Sequence, residues 1–401
     1  MRNAIQGAAL VFGVLAAALG LLAAPALAAL VLFGGAPSLA AVTVIVSAAA
    51  ASLGLGAPLA LAAWRSQQRQ ASPALRLAPL WWLGLIFLGL LALGQLALGT
   101  RLNVIILPPV HVAASLLPAL MVVAAVASPL QRAGAGLTRR HLVTQLAYGG
   151  LAATALALAL ELAAVLAVLV LAAAGVALLP GGPDSLQRLA AGLQWAAQSA
   201  DPAGLLRMLA SPGLVLGIGL LVAVVVPLLE ETIKALGTGC NRLVLGRLSR
   251  SQAFALGVMA GAGFSFTEGL FYAAQQLPHG WAGGVALRGL TAVIHAAATG
   301  LFALGLYEVV AGRPARFWPY AAGGVGLHAL WNGLSGLAAL GSLSALDGAM
   351  AAQTAGGVAA LLAAGLLGAT WLGAVAVLVY TTRRLSAELR RGREVSGDGA
   401  A

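Results

Sequence analysis

Charge is scarce in this chain. Only 8% of its 401 residues are Asp, Glu, Lys or Arg, while 61% are hydrophobic. A soluble domain of this length needs far more polar surface, so the composition excludes one. Cysteine is nearly missing too. The single Cys240 rules out a disulfide framework within the chain and any zinc site built from several thiolates. The apolar runs also lack the period-2 alternation of membrane barrel strands, which leaves helices as the spanning structure.

Several apolar runs exceed the roughly 18 residues that read as a membrane span. The pattern predicts an all-α, polytopic transmembrane bundle of about ten spans: 6–33, 38–63, 79–99, 104–128, 150–178, 212–238, 253–274, 287–310, 319–341 and 354–380. The net charge of +11 would suit a nucleic-acid partner, but the basic residues sit in short loops between spans. Arg65, Arg69 and Arg76 precede the third span, and Arg132, Arg139 and Arg140 the fifth. Arg242, Arg247 and Arg250 precede the seventh, Arg313 and Arg316 the ninth, and the tail carries five more arginines. Every second loop is basic, the positive-inside signature, so both termini are expected in the cytoplasm and no nucleic acid is expected as partner. Trp64, Trp81, Trp82 and Trp318 fall at the same boundary, as an aromatic belt does.

The expected organisation is a scaffold of about five spans over 1–180, an external loop over 181–211, a four-span core over 212–341, a last span over 342–380 and a basic tail over 381–401. The first span, with Arg2 and small residues near Ala26 and Ala28, also fits a signal peptide, and its removal would leave the later orientations unchanged. Leu186, Leu189, Ala190, Leu193 and Ala197 share one face, so the loop reads either as an interfacial helix or as a plain connection. The scaffold carries little chemistry. Glu161 is a lone carboxylate read as structural, His111 follows Pro108 and Pro109 and reads as interfacial, and His141 and His279 lie in loops.

The pattern changes in the four core spans. Pro227-Leu-Leu-Glu-Glu-Thr-Ile-Lys234 places Glu230, Glu231 and Lys234 at the end of an apolar run. An ionised carboxylate there costs at least about 2.5–3.5 kcal/mol, so the pair needs compensation or a use. Glu230 and Lys234 are four apart and can pair on one helix face; a helix end meeting water is the plainer account of the lysine. In the seventh span Phe264, Glu268 and Tyr272 line one stripe, and Gly257 and Gly261 form a GxxxG that admits a close neighbour. The eighth brings Arg288 and His295 to one face, and the ninth His328 and Asn332. A lone membrane histidine is more often a packing residue than a ligand. By rise per residue, however, Glu230, Glu268, His295 and His328 fall within about 10 Å of a common depth, which packing alone does not explain.

This set can hydrolyse a peptide bond. A buried Glu can take a proton from water, an adjacent Glu can hold it, and imidazoles with the Asn332 amide can donate to an oxyanion where water is scarce. Alternatively His295, His328 and a Glu can hold zinc with an open position for water. No helix carries HExxH, the commonest zinc-protease arrangement.

The motifs resemble those of the PrsW intramembrane proteases, relatives of the CAAX-prenyl-protease and abortive-infection group. Glu230-Glu231-Thr-Ile-Lys234 looks like the family's EExxK, and Phe264-Ser-Phe-Thr-Glu268 continuing to Tyr272 like its FxxxE and ENxxY. His295 after Arg288 and His328-Ala-Leu-Trp-Asn332 look like its membrane histidine and HxxxN. The resemblance spans 230–332, about a quarter of the chain. It implies a peptidase, glutamate-type or metal-dependent, that cuts a membrane-embedded or membrane-adjacent segment of another protein, such as an anti-sigma factor, in a bacterial-type plasma membrane. The cofactor it implies is either a divalent metal such as zinc or none. Glu230 is the expected general base and Glu231 its proton partner; His295 and His328 position water and oxyanion, and Glu268 supports a histidine. Lys234, Phe264, Tyr272, Arg288 and Asn332 are supporting residues. One departure is Gly269, where the family usually has Asn, removing a hydrogen bond expected to orient Glu268.

Two other classes remain. A proton- or cation-coupled transporter also uses intramembrane carboxylates and histidines, but no repeat of the motif-bearing segments accompanies them. A catalytically inactive membrane scaffold has only Gly269 in its favour.

Overall fold

The computed structural model describes residues 2–34, 38–178, 219–245, 248–344 and 350–395, with scattered positions between 183 and 217. The expected external loop, with its interfacial helix, lies largely outside the described residues.

Among the described residues the fold is all helical, with one isolated bridge between Ala74 and Thr138. The helices are α1 (Arg2–Gly34), α2 (Leu39–Gln67), α3 (Leu80–Leu98), α4 (Asn103–Arg132), α5 (Arg139–Ala147), α6 (Thr154–Ala177), α7 (Val226–Leu245), α8 (Arg250–Ala274), α9 (Trp281–Val310), α10 (Phe317–Ser344) and α11 (Met350–Val395). A π-turn at Tyr148–Ala153 joins α5 to α6, and another at Leu221–Val225 leads into α7.

Eight helices among the described residues are long and apolar enough to cross a membrane. The expected sixth and ninth spans are helices as well, α7 and α10, but fall short of that measure. The reason is their content: α7 carries Glu230, Glu231, Lys234 and Arg242, and α10 is diluted by His328, Asn332 and several glycines.

The chain packs as two compact units. The first is Met1–Ala155, Glu231–His328 and Gly368–Ala401; the second is Leu156–Glu230 and Ala329–Leu367. In the first, α8 is the central helix, with 89% of its apolar window buried. Gly257, Ala260, Gly261, Ala262 and Gly263 make it thin enough to be surrounded. A Cβ on Gly257 would stand 2.6 Å from both the Thr299 carbonyl and Ala303 Cβ, and one on Gly261 would overlap the His295 carbonyl. This is the close approach expected of the GxxxG, and it brings the His295–Thr299 turn of α9 against α8. The start of α8 is fixed by a capping box, in which Ser249 and Gln252 each accept the other's backbone N–H.

The basic loops of this unit meet at one end. Arg140 donates to the Gln70 carbonyl at 2.7 Å, and Gln252 to the Ala135 carbonyl at 2.9 Å. Glu308, fully buried, receives Arg313 at 2.6 Å and Arg250 at 3.1 Å, and Arg250 also reaches Glu388 of α11 at 3.0 Å. At the opposite end His111, expected at the interface, is fully buried: it accepts from the Trp281 indole at 2.9 Å and bonds the Leu270 carbonyl at 2.9 Å. Two apolar partners' polar edges leave it no need of water.

In the second unit Asn332 donates to the Val222 carbonyl, at 3.3 Å, in the π-turn before α7. A π-turn breaks the regular i→i−4 ladder, and the amide serves one of the displaced carbonyls.

Candidate active site

The site of the first unit is built on four helices. Glu231 enters from α7 and is completely buried. Both its oxygens are engaged: Oε1 lies 2.6 Å from Lys234 Nζ and 2.8 Å from His328 Nδ1, and Oε2 accepts from the Thr299 hydroxyl at 2.6 Å. Lys234 is therefore not at a hydrated helix end; its side chain is fully buried. A buried pair is favourable only when its geometry and additional hydrogen bonds offset desolvation, and here three donors surround one carboxylate.

Lys234 also reaches His295 of α9, with Nζ 3.0 Å from Nδ1, and its ammonium lies 4.3 Å from the Phe264 ring centroid. An ammonium only donates, so Nδ1 accepts and the proton of a neutral ring sits on Nε2. That nitrogen lies 2.9 Å from Glu268 Oε2. Glu268 in turn takes Arg288 at 2.8 Å, and the Arg288 guanidinium lies 4.7 Å from the Tyr272 ring centroid. The stripe Phe264–Glu268–Tyr272 thus faces α9: Phe264 meets the His295 ring, Glu268 meets His295 and Arg288, and Tyr272 meets Arg288. The two imidazoles stand edge to face, centroids 4.7 Å apart.

Glu231, His295 and His328 each offer one ligand atom within 4.8 Å of the others. Glu230, the preceding residue on α7 and the last of the second unit, is buried too, 4% exposed, rather than turned to lipid. Two imidazoles and a carboxylate form a donor set for zinc with an open position, and the carboxylate behind His295 is the usual outer partner of a metal-bound histidine. Against a divalent cation stands the positive charge the pocket already holds, that of Lys234, which would repel it.

Thr299 escaped the sequence reading, although it follows His295 by one helical turn and so shares its face. Gln145 and Tyr148 were missed as well. Gln145 donates to the Gly237 carbonyl at 2.9 Å and Tyr148 to the Ile233 carbonyl at 2.7 Å, so α5 and its π-turn hold α7 in place from the N-terminal half. Thr267 of α8 donates back to the Gly150 carbonyl of that π-turn at 2.7 Å. Gly269 faces a small cavity of about 10 Å³ lined in part by Arg288, Ser265 and Ser115.

Searches of curated proteins and of solved structures give no significant match. Residues 184–364 match the family described as PrsW family intramembrane metalloprotease, a segment that contains Glu230, Glu231, Glu268, His295 and His328. With its apolar helices and buried Glu/His cluster, the chain is an integral membrane peptidase carrying a PrsW-family domain over residues 184–364.

Proposed function

We propose that the protein hydrolyses a peptide bond within or beside a membrane span of another protein, with Glu230 as general base. The observation that carries this is the state of its neighbour. Glu231 has both oxygens committed to Lys234, His328 and Thr299, which suits a fixed anchor, and Glu230 beside it is buried, where a carboxylate is poised to take a proton from water.

In this reading Glu230 takes a proton from water as the water oxygen attacks the scissile carbonyl carbon. His328 donates from Nδ1 to Glu231, so Nε2 of the neutral ring is an acceptor that can take a hydrogen bond from the attacking water and position it. The proton held on the glutamate pair then passes to the leaving amine as the C–N bond breaks. Glu268 and Arg288 fix His295, and Phe264, Tyr272 and Asn332 brace the helices that carry these groups.

A divalent metal such as zinc would be held by Glu231, His295 and His328, where it would act as a Lewis acid toward the substrate carbonyl and acidify water. The substrate is a single-span membrane protein of the anti-sigma-factor or signalling type, in a bacterial plasma membrane. Its segment must unwind before cleavage, because helical peptide groups are bonded internally.

The test is reconstitution in liposomes with single-span candidate substrates, comparing wild type with Glu230→Gln. Cleavage by wild type and its loss in the variant is the expected result. Equal cleavage by both would remove Glu230 from the role of base.

A further inference from the structure

The ammonium of Lys234 stands between two of the atoms that would hold a metal. It is 2.6 Å from Glu231 Oε1 and 3.0 Å from His295 Nδ1, with the lysine side chain wholly buried. We propose that Lys234 is a built-in competitor for the metal: lysine and a divalent cation take the same two ligand atoms in turn. The proposal rests on the metal-dependent reading of the site.

The first support is the identity of the imidazole nitrogen. Glu268 occupies Nε2 of His295, so Nδ1 carries the lone pair available to a cation. A carboxylate on one nitrogen with the other turned inward is how proteins orient a metal-bound histidine. Here the inward nitrogen meets an ammonium. Glu268 is itself fixed by Arg288 at 2.8 Å, so the ring is held for a cation whichever cation is present.

The second support is charge. Glu231 and Glu268 face Lys234 and Arg288, so these two carboxylates are already matched by two cations. A metal ion added with the ammonium still in place would put a dication beside a monocation at a few ångströms in a dry interior, where like charges repel strongly. One must leave. The lysine can, because its charge rides on a flexible four-carbon stem. Backbone movement is not required: α7 is held by Tyr148 and Gln145 through carbonyls at Ile233 and Gly237, flanking Lys234. The Phe264 ring at 4.3 Å completes a cradle suited to an ammonium.

The consequence is a metal affinity below that of the bare donor set. The experiment uses the full-length protein in detergent, stripped with chelator and titrated with Co²⁺ under visible absorption, which reports the ligand field independently of cleavage. Lys234→Met is expected to bind Co²⁺ roughly tenfold or more tighter than wild type, the scale of effect of an altered metal-site neighbour. His295→Ala in that background is expected to erase the gain. Lys234→Arg retains the charge in a fork that grips Glu231 more firmly, and is expected to bind Co²⁺ more weakly than wild type.

Wild-type binding that Lys234→Met does not tighten overturns the competition and leaves the metal site standing. Should Lys234→Met fail to fold, Lys234→Arg decides, and an affinity equal to that of wild type overturns the proposal. Absence of Co²⁺ binding in every variant overturns the competition and the metal reading together; cleavage by stripped wild type then leaves the glutamate-based peptidase intact.

Discussion

Glu268 Oε2 and His295 Nε2 stand 2.9 Å apart, and this one contact fixes which imidazole nitrogen turns toward Lys234. The pair joins α8 to α9 across their glycine-lined contact, so helix packing and imidazole orientation are set together. Substituting either partner frees the ring to flip.

Glu268→Gln preserves shape but removes the charge that holds Arg288 and His295. Cleavage is expected to fall by about 10–100-fold, the range for losing an outer partner of a functional histidine. The fold is retained. Nitrogen NMR of labelled histidine would show the His295 proton no longer confined to Nε2, and an unchanged tautomer with unchanged cleavage would refute the role.

Thr299 holds the second oxygen of Glu231 at 2.6 Å. Thr299→Val keeps the volume and loses the donor, leaving a buried carboxylate oxygen unserved. The expected loss of stability is about 1–3 kcal/mol, read by denaturation in detergent, with reduced cleavage. Thr299→Ser is expected to recover most of both.

Glu231 and Lys234 are expected to behave as one unit. Removing either partner leaves an uncompensated buried charge, at a cost of about 3–5 kcal/mol. The double variant Glu231→Gln/Lys234→Met is expected to cost less than the sum of the singles, since neither charge is then stranded. Additive losses in a thermal or denaturant cycle would contradict the pairing.

Much of this site was legible in the sequence because its residues are costly where they stand. Glu230, Glu231, Glu268, His295 and His328 interrupt apolar runs, and spacing alone placed Phe264, Glu268 and Tyr272 on the face that meets α9. The four-residue spacing singled out Glu230 as the partner of Lys234. Residues three and four apart are both neighbours on a helix, and the contact seen runs from Glu231. Thr299 stayed hidden because a threonine in an apolar helix is cheap and common. His111 was misplaced because Pro108 and Pro109 suggested a boundary, whereas α4 runs through both prolines and carries the ring into the core. Two expected spans fell short on apolarity for the same reason that made them interesting, their polar content.

The glycines of α8 separate by what lies opposite them. A side chain on Gly261 would collide with the His295 carbonyl, so Gly261→Val is expected to push α9 away and abolish cleavage. Gly269 is different: a Cβ there would meet only Arg288 Cβ, at 3.7 Å, an ordinary contact. Gly269→Asn is expected to fold normally and to cleave at least as well as wild type. A destabilised Gly269→Asn protein, measured by melting, would show that this cavity is needed empty.

The two hydrogen bonds from Gln145 and Tyr148 to α7 have a consequence for where this enzyme can be cut. The family match begins at residue 184, after both of them, yet the helix bearing Glu231 is moored to residues upstream of that boundary. Gln252 and Thr267 of α8 likewise lean on carbonyls of Ala135 and Gly150. The smallest autonomous piece is therefore larger than the segment that defines its kinship. A swap of the motif-bearing helices into another relative would have to carry the α5 and π-turn mooring with them.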